Sequence, residues 1–463
     1  MQNPPPVTCG NFATAYAAAP NKLTGTSYTG GQAHFNMEGQ TCMVIPTEDG
    51  ALDVASSSQG TTDIRGMVMR VTGLPANKVT VTTARAGGAF GSKLSRSHPI
   101  ASAVSLAARI MNRPIKAQCS REAEMDMWGK RSHMRMDYEV GFDNTGKILA
   151  LQVVFYQLGG HTYESNFGSM SMCLMWADSA YYCPNFTVSG KTCKTNTPSN
   201  TAMRGPGAMK SIFHMEQIME LVAAKLNLSP MAVRSANFYA DGQSTPYGQP
   251  VAPVTMPKVW SMVQSQANYP AVQTAVAQFN AANKWRKRGV HCVAVKYPIG
   301  VPGNQVGMQL NVCQDDGTIM VSHTGCELGQ GINTKVAQVI AYELGIDISL
   351  IVVQKNATNI VANGSQTGGS ATSESACACA LLACADLNNR LSALKTANPK
   401  VTWPALIALA VPAMINLTVN AQFFTAPNNP NYPFTYFVWA ASCSQVELDV
   451  LTGEVEVLQT DIG

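Results

Sequence analysis

Turns rich in glycine and small residues constrain this chain more than any other feature of its sequence. Three of them join a strand-like run to a helix-like run, and a fourth precedes a helix. They are Gly87–Gly91 (GGAFG), Gly325–Gly331 (GCELGQG), Asn363–Ser373 (NGSQTGGSATS) and Asn200–Gly207 (NTAMRGPG). Glycine allows backbone N–H groups to approach a ligand closely, and the start of a helix attracts anions. One such turn is ordinary turn chemistry, but four in one chain indicate a large anionic ligand held mainly by the main chain.

Strand-like and helix-like runs alternate along the chain, which is typical of a mixed α+β protein. Alternating β-branched and apolar residues predict strands over Lys78–Thr83, His133–Phe142, Lys147–Tyr156, His291–Val295, Thr318–His323 and Ser349–Gln354. Apolar residues at helical spacing predict helices over Pro99–Asn112, Lys210–Leu226, Asn333–Leu344 and Ser375–Leu394. The second and third strands form a hairpin around the turn Asp143–Gly146 (DNTG).

A basic, polar stretch marks a domain boundary in this pattern. It is Asn283–Gly289 (NKWRKRG), and it precedes the strand at His291–Val295. We expect two mixed α/β subdomains, residues 1–285 and residues 286–463. The alternative is that the stretch is a solvated helix end inside a single domain.

Composition and charge exclude several classes of protein. Hydrophobic residues make up 46% of the 463 residues and charged residues only 13%, whereas a disordered chain needs low hydrophobicity and high charge. The net charge of +4 is small and dispersed, which argues against a nucleic-acid partner. The N-terminal MQNPPPVTCG has no signal-peptide pattern, and the most apolar stretch, Ala405–Val419, is short and contains Pro412. The sequence therefore predicts a soluble, cytoplasmic protein without a membrane partner.

The 13 cysteines and seven histidines do not predict a metal site made of side chains. No histidine pairs as His-x-x-x-His or with a cysteine at zinc spacing. The tight cysteine cluster is Cys377, Cys379 and Cys384, in a predicted helix with Cys377 and Cys384 on one face. Packing is the favoured interpretation because a free cysteine behaves as a small apolar residue. A metal or redox role is the alternative.

Five segments, in this order, resemble the molybdopterin-binding portion of the xanthine dehydrogenase/aldehyde oxidase family of molybdenum hydroxylases. They are Gly30–Phe35 (GGQAHF), Gly87–Lys93 (GGAFGSK), Cys193–Gly205 (CKTNTPSNTAMRG), Val321–Lys335 (VSHTGCELGQGINTK) and Thr358–Ser373 (TNIVANGSQTGGSATS). The resemblance implies an α+β molybdenum-cofactor-binding domain of the aldehyde oxidase/xanthine dehydrogenase type, with a molybdopterin-binding subdomain in each predicted half. It also implies that a pterin dithiolene, and no protein side chain, binds the molybdenum.

The same resemblance implies which residues bind the molybdenum–molybdopterin cofactor. Gln59 matches a glutamine that hydrogen-bonds an oxo ligand, and Arg204 matches an arginine beside the molybdenum centre. The residues that match backbone, pterin or phosphate contacts are Phe90, Gly91, Gly329, Gln330, Gly369, Ser370, Ala371 and Thr372. Three positions have simpler alternatives: a surface strand for Gln59, a structural salt bridge at a helix start for Arg204, and core packing for Phe90.

Three departures from the family pattern bear on the substrate. Purine-oxidising members carry a glutamate at the position of Leu94 and an arginine at that of Met172, and an aromatic residue usually stands at Pro206. A site built on polar contacts discriminates strongly, so the loss of those contacts changes the preferred substrate. The resemblance then implies an aldehyde-oxidase-like enzyme that hydroxylates aldehydes or N-heterocycles with oxygen from water.

Two other interpretations remain open at the level of sequence. One is a fragment of a xanthine dehydrogenase. The other is a non-catalytic, truncated homologue that serves as a binding or dimerisation module, with Leu94 and Met172 as plain core residues of a degenerate copy.

No catalytic residue is assigned in this chain. The family's general-base glutamate lies in a Gly-Glu-x-Pro-like motif that the sequence lacks, and Gly453–Glu454 belongs to a different pattern, TGEVEV. The resemblance implies [2Fe-2S] clusters and FAD in iron–sulfur and flavin domains, which belong to the same polypeptide or to partner subunits. We therefore expect a C-terminally incomplete fragment of a longer protein that is a homodimer when complete.

Overall fold

The computed structural model describes residues 3–300, 303–426 and 430–463, in which helices and strands are mixed throughout. The strands are β1 (Val7–Cys9), β2 (Asn21–Thr29), β3 (Thr41–Pro46), β4 (Leu52–Ser56), β5 (Val79–Thr83), β6 (Ile115–Gln118), β7 (Met134–Phe142), β8 (Ile148–Gly160), β9 (Phe186–Lys194), β10 (Arg286–Ile299), β11 (Gln305–Val312), β12 (Ile319–His323), β13 (Ile351–Val353), β14 (Asn356–Ala357), β15 (Thr418–Phe424), β16 (Tyr436–Asp449) and β17 (Val455–Ile462). The helices are α1 (Phe12–Ala18), α2 (Thr61–Thr72), α3 (Ser92–Ser95), α4 (Ser97–Met111), α5 (Arg121–Met127), α6 (Asn166–Met175), α7 (Ala208–Leu226), α8 (Pro230–Asn237), α9 (Met256–Gln266), α10 (Tyr269–Ala282), α11 (Ile332–Leu344), α12 (Thr372–Ala397) and α13 (Trp403–Ala410).

The described strands form four sheets. Two of them have five strands, in the orders β1-β9-β8-β7-β2 and β14-β5-β4-β3-β6. The other two have the orders β13-β12-β11-β15 and β10-β16-β17. β7 and β8 are the predicted hairpin, in which the Asp143 carboxylate accepts hydrogen bonds from the N–H groups of Thr145 (2.8 Å) and Lys147 (3.0 Å). These local hydrogen bonds explain why the chain reverses at this turn.

Every strand and helix predicted from the sequence is present, with differences at the ends. The strand expected at His291–Val295 begins at Arg286, because two arginines of the basic stretch pair with Glu447 on β16. Arg286 lies 2.8 Å and Arg288 2.9 Å from that carboxylate. The strand expected over Ser349–Gln354 is shorter, since a turn of 3-10 helix at Ile348–Leu350 precedes β13.

The largest apolar core packs the first five-stranded sheet against α6 to α9 and against β10 and β16. Its members include Phe155 and Met219 from before residue 285, and Cys292 and Trp439 from after it. β14 also pairs with β5, in a sheet whose other strands all come from residues 41–118. The two predicted subdomains therefore share a core and a sheet, and the boundary at residue 285 remains a prediction.

A second core lies between the β11, β12 and β15 strands and the α11, α12 and α13 helices. Cys379 and Cys384 on α12 are fully buried in it, while Cys377, near the start of the helix, is half-buried. Burial raises the pKa of the Cys379 and Cys384 thiols to about 12. These two thiols pack as small apolar side chains, which is the interpretation that the sequence favours.

The apolar stretch Ala405–Val419 does not form one continuous element. It is divided between α13 and the start of β15. A bilayer span needs about 20 apolar residues in a single helix. In the ranges that the structure describes, we find no helix with the length and apolar character that such a span requires.

A buried ion pair ties β10 to the segment after α6. Asp178 and Lys296 form a salt bridge, and both side chains are almost completely shielded from solvent. Tyr239 donates its hydroxyl to the same carboxylate at 2.6 Å, and the Lys296 ammonium lies 4.7 Å from the centre of the Tyr239 ring. Burial lowers the pKa of Lys296, although the Asp178 charge opposes this. Removal of one charge would leave the other buried and unpaired.

We expect Lys296→Met to lower the free energy of unfolding by about 3–5 kcal/mol, because the Asp178 carboxylate then stays buried without a counter-charge. The double variant Asp178→Asn/Lys296→Met removes both charges and should recover much of that loss. Urea denaturation followed by circular dichroism measures both effects. A double variant no more stable than the single one would show that the unpaired charge is not the cause.

Candidate functional site

All four glycine turns connect a strand to a helix, which the sequence predicts for three of them. The phenylalanine loop (residues 84–91) runs from β5 to α3, and the glutamate loop (residues 324–331) runs from β12 to α11. The serine loop (residues 358–371) runs from β14 to α12, and the arginine loop (residues 195–207) runs from β9 to α7. A small number of buried polar groups joins these loops.

Gln59 connects the phenylalanine loop to the serine loop. Its Nε2 donates to the Thr367 carbonyl at 2.8 Å, and its Oε1 accepts from the Gly91 N–H at 3.0 Å. Its own carbonyl accepts from the Thr367 N–H at 2.7 Å. Gln59 is only 4% exposed and lies in the bend between β4 and α2. The alternative interpretation of Gln59 as a surface strand residue is therefore wrong.

Thr367 also forms a hydrogen bond with the glutamate loop. Its hydroxyl accepts from the Cys326 N–H at 2.8 Å. The Ala86 N–H of the phenylalanine loop donates to the Glu327 carbonyl at 3.0 Å. Three loops that are far apart in the sequence thus share one hydrogen-bonded floor, with Gln59 and Thr367 at its centre.

The arginine loop lies directly against the phenylalanine loop. The Arg204 N–H donates to the Phe90 carbonyl at 2.8 Å. A Cβ atom at Gly91 would lie 2.2 Å from the Ala202 carbonyl oxygen, so only glycine fits at this approach. Phe90 has a φ of 53° and is 42% exposed. Core packing is therefore the wrong interpretation of Phe90, and a bulky residue held in the left-handed region points to a functional constraint.

Arg131, whose role was not predicted from the sequence, fixes the arginine loop. Its guanidinium donates to three successive carbonyls: Met203 (3.1 Å), Arg204 (2.8 Å) and Gly205 (3.2 Å). The side chain of Arg204 itself is exposed and forms no ion pair with any described residue. The alternative of a structural salt bridge at this position is wrong, and the Arg204 charge is available to a ligand. No motif around Arg131 signals its role.

The predicted cofactor residues divide into a floor and a rim. Four of these predicted residues are buried and belong to the floor: Gln59, Gly91, Ala371 and Thr372. The other six are exposed and form a rim: Phe90, Arg204, Gly329, Gln330, Gly369 and Ser370. Ser370 has a φ of 60°. A Cβ atom at Gly329 or Gly369 would meet no atom within 4 Å, so open space lies over these glycines. We call the surface that the phenylalanine, glutamate and serine loops form around these glycines the cradle.

The side chain of Gln330 is used within its own loop. Its Nε2 donates to the Cys326 carbonyl at 2.8 Å, and its Oε1 accepts from the Leu328 N–H at 2.6 Å. The amide therefore shapes the glutamate loop, and the groups that Gln330 and Gly329 offer to a ligand are those of the main chain.

Two helices, α11 and α12, begin at the cradle. They differ in the hydrogen-bond acceptors that the N–H groups of their first turns find. The Glu327 carboxylate accepts from the N–H groups of Gly329 (2.9 Å), Gly331 (3.1 Å) and Asn333 (3.1 Å) at the start of α11. Burial alone would raise the pKa of Glu327, but these hydrogen bonds outweigh it and the pKa is lowered. The α12 helix has no side-chain cap. The first N–H groups of α12 therefore have no side-chain acceptor, although the exposed Glu374 lies in the same turn, whereas those of α11 already bind a carboxylate.

Glu164 is a second residue that the sequence did not reveal. Its carboxylate accepts from the Thr201 hydroxyl at 2.8 Å and also from the Ser95 hydroxyl and the Ser165 N–H, and its side chain is 8% exposed. Ser95 follows Leu94, Ser165 precedes α6, which carries Met172, and Thr201 lies in the arginine loop. Glu164 therefore ties together the three segments that carry the predicted substrate-pocket residues.

The predicted pocket residues lie in different surroundings. Leu94 is half-buried on α3, and its side chain lies 3.8 Å from where a Cβ atom at Gly368 of the serine loop would be. Met172 packs against a small cluster that includes Trp176 and Phe434. The arginine loop packs on α6 beside Pro206, since a Cβ atom at Gly207 would lie 2.0 Å from the Ser169 carbonyl.

The donors at this site do not form a metal site of their own. Across the residues that the structure describes, no three His, Cys, Asp or Glu side chains lie together in a way that could hold a metal ion. The exposed groups of the rim are main-chain amides, the Ser370 side chain and the Arg204 cation. This set suits an anionic group that brings its own metal ligands.

We expect Gln59→Leu to lower the free energy of unfolding by about 2–4 kcal/mol, because it leaves the Gly91 N–H and the Thr367 carbonyl buried without partners. The matched control is Gln278→Leu, at an exposed position on α10, which should change the stability by less than about 0.5 kcal/mol. Chemical denaturation measures both. Equal effects of the two variants would contradict the central position of Gln59.

Two family models, both described as molybdopterin cofactor-binding domain, match residues 2–238 and residues 262–463. The chain is 34% identical over 464 residues to xanthine dehydrogenase/oxidase of Felis catus, covering 98% of this chain and 35% of that protein. It is 36% identical over 462 residues to aldehyde oxidase 1 of Macaca fascicularis, covering 98% of this chain and 34% of that protein. The chain thus spans about a third of the length of these relatives.

Solved structures agree with these matches. The aldehyde oxidoreductase from Desulfovibrio gigas superposes with a TM-score of 0.84 at 23% identity, covering 99% of this chain and 50% of that chain. Quinoline 2-oxidoreductase from Pseudomonas putida 86 superposes with a TM-score of 0.86 at 19% identity, covering 99% and 63%. The expected fold is confirmed, and the chain belongs to the xanthine dehydrogenase/aldehyde oxidase family, in which it corresponds to the molybdopterin-binding portion.

Proposed function

We propose that the cradle binds molybdopterin, and that the protein which contains this chain hydroxylates aldehydes or N-heterocycles with oxygen from water. The observation that carries the proposal is the shared floor, in which Gln59 and Thr367 join the three glycine-rich loops. A cofactor that needs main-chain donors from distant parts of the sequence finds them here on one surface. When bound, the molybdenum centre would supply the two-electron oxidation.

The residues of the chain have separate tasks in this proposal. The start of α12, with Ser370 and Thr372, would bind the cofactor phosphate, because its N–H groups have no side-chain cap. Arg204 would add a positive charge beside the cofactor. Gln59 uses one Nε2 hydrogen for Thr367, and its second would be the donor to an oxo ligand. The main chain at Phe90 and Gly91 would close the site from the other side.

Gly369→Val tests the cradle directly. Because a side chain at this position would project into open space, we expect the variant to fold and to lose most of its molybdenum and pterin. Elemental analysis for molybdenum and fluorescence of the oxidised pterin measure this loss. The backbone at Gly369 has a φ of 66°, so the substitution also introduces strain.

Gly345→Val is the matched control for that strain. Gly345, after α11, has a φ of 68° and is also free of neighbours within 4 Å of an added Cβ atom. We expect it to be destabilised to a similar extent and to keep its cofactor. Equal cofactor content in a folded Gly369→Val protein and in the control would overturn the proposed position of the cofactor.

The aldehyde-oxidase-like substrate preference rests on the pocket and not on overall identity. The chain is 36% identical both to aldehyde oxidase 1 of Macaca fascicularis and to xanthine dehydrogenase of Drosophila subobscura. Leu94 and Met172 are apolar, so neither can form the polar contacts by which a purine would be recognised. A xanthine dehydrogenase is the second candidate, because relatives with that name match equally well.

We expect the double variant Leu94→Glu/Met172→Arg to raise kcat/KM for xanthine relative to benzaldehyde by about 10–100-fold, since it restores charged contacts to the pocket. The control is Leu106→Glu/Met262→Arg, the same changes at exposed positions, which should leave the ratio unchanged. Steady-state kinetics on molybdenum-loaded protein measure the ratio. An unchanged ratio in a folded, loaded double variant would remove the basis for the proposed preference.

The remaining parts of the proposal concern regions of the relatives that lie outside the part matched by this chain. The relatives are about three times as long as the chain. We propose that the iron–sulfur clusters, FAD and the general-base glutamate lie in that additional length or in partner subunits, and that the complete protein is a cytoplasmic homodimer. Iron and flavin analysis of the full-length protein, with its mass in solution, tests these points.

A further inference from the structure

A cavity next to the arginine loop is lined by two cations. Arg131, Lys210, Ser132, Thr201, Met203 and Pro206 are among the residues around it. The enclosed part of this cavity is small, with space for about one water molecule, and the rest of its roughly 260 Å³ includes open solvent, so only the charged end of a ligand would enter it. Lys210 lies in the first turn of α7, four residues after Pro206. The cavity is therefore continuous with the loop that carries Arg204.

Both cations are buried without a counter-charge. Arg131 is 6% exposed and Lys210 is 2% exposed. Arg131 donates to the Gln32 side-chain oxygen (3.1 Å) and to the carbonyls of residues 203–205, and Lys210 donates to the Gly30 carbonyl. All of these acceptors are neutral. Glu164 reaches the lining residue Thr201, but neither cation forms an ion pair with a carboxylate in the described ranges.

The electrostatics favour an anion in this cavity. Burial, followed by the positive charge of Arg131, lowers the pKa of Lys210 to about 8. The positive end of the α7 helix dipole also favours an anion, and the first turn of α7 has no side-chain cap. Like charges that are buried together are unfavourable, and a bound anion would compensate them. The ammonium of Lys210 has donors to spare, since only one acceptor is assigned to its three hydrogens.

The lining favours a monoanion over a phosphate. Gln157 lines the same cavity, and its Oε1 is buried without a hydrogen-bond partner. This unpaired acceptor disfavours every anion close to it and the more so a doubly charged one, and the small enclosed space also suits a carboxylate better than the bulkier phosphate. Ser132 and Thr201 add neutral hydroxyl groups to the wall.

We propose that this cavity binds the carboxylate group of a small organic anion through Lys210, and that the substrates of the protein include aldehydes that carry such a group. The second half of the proposal rests on the proposed function. The first half does not, because anion binding needs no bound cofactor and no turnover. Pro206 connects the two halves: it lines the cavity and stands at a position that the family resemblance assigns to the substrate pocket.

Binding of benzoate to the full-length protein tests the first half. Calorimetric titration should detect benzoate, and the uncharged analogue benzamide should bind at least about tenfold more weakly. Lys210→Gln should weaken benzoate at least about tenfold, while Lys225→Gln, at an exposed position on the same helix, should not. Lys210→Arg keeps the charge and should keep binding, which also covers the case in which Lys210→Gln fails to fold. Equal affinity of Lys210→Gln and the original protein for benzoate would overturn the site.

Turnover of 4-formylbenzoate and benzaldehyde tests the second half. We expect a kcat/KM at least about tenfold higher for 4-formylbenzoate, expressed mainly in KM, and we expect Lys210→Gln to remove this preference. Benzoate binding without oxidation of either aldehyde would overturn the proposed function and support the site. Oxidation of both aldehydes without preference and without benzoate binding would overturn the site alone. Binding of benzoate and formate without a preference between the aldehydes would assign the cavity to free carboxylates and overturn the second half.

Discussion

The architecture of this chain depends on one buried side-chain amide, that of Gln59, whose nitrogen and oxygen both form hydrogen bonds. Gln59 donates to the serine loop and accepts from the phenylalanine loop, and Thr367 passes the connection on to the glutamate loop. A buried amide without partners is costly, so each loop fixes the position of the others. Parts of the chain that are about 300 residues apart in sequence are thereby held as one surface, although no single loop is rigid by itself.

This arrangement explains why the cradle presents main chain and few side chains. The buried polar side chains, Gln59, Thr367 and Arg131, satisfy loop carbonyls and N–H groups below the surface. What remains above it is backbone at Gly329 and Gly369, the strained Phe90 and Ser370, and the unpaired cation of Arg204. Backbone strain of this kind persists only where many surrounding contacts fix the conformation. The hydrogen bonds of the shared floor are such contacts.

The sequence predicted what local chemistry encodes and missed what long-range contacts create. The DNTG hairpin, the glycine turns and the helix at Lys210 follow from residues that are neighbours in the chain, and all three are present. The strand at His291 begins five residues early because its partner, Glu447, is distant in sequence. Arg131 and Glu164 have no local signal, since their roles arise from carbonyls and hydroxyls that other elements supply. Glu327 could have been recognised, because an acidic residue near the start of a helix is favourable there.

The two-residue strand β14 has a consequence for how the molecule is made. It covers the outer edge of β5, at the end of a sheet that is otherwise built from residues 41–118. While the ribosome is still synthesising the intervening 270 or so residues, that edge has no neighbour and offers its unpaired N–H and C=O groups to any extended peptide nearby. The early part of the nascent chain is therefore exposed to wrong pairing until Asn356 and Ala357 emerge.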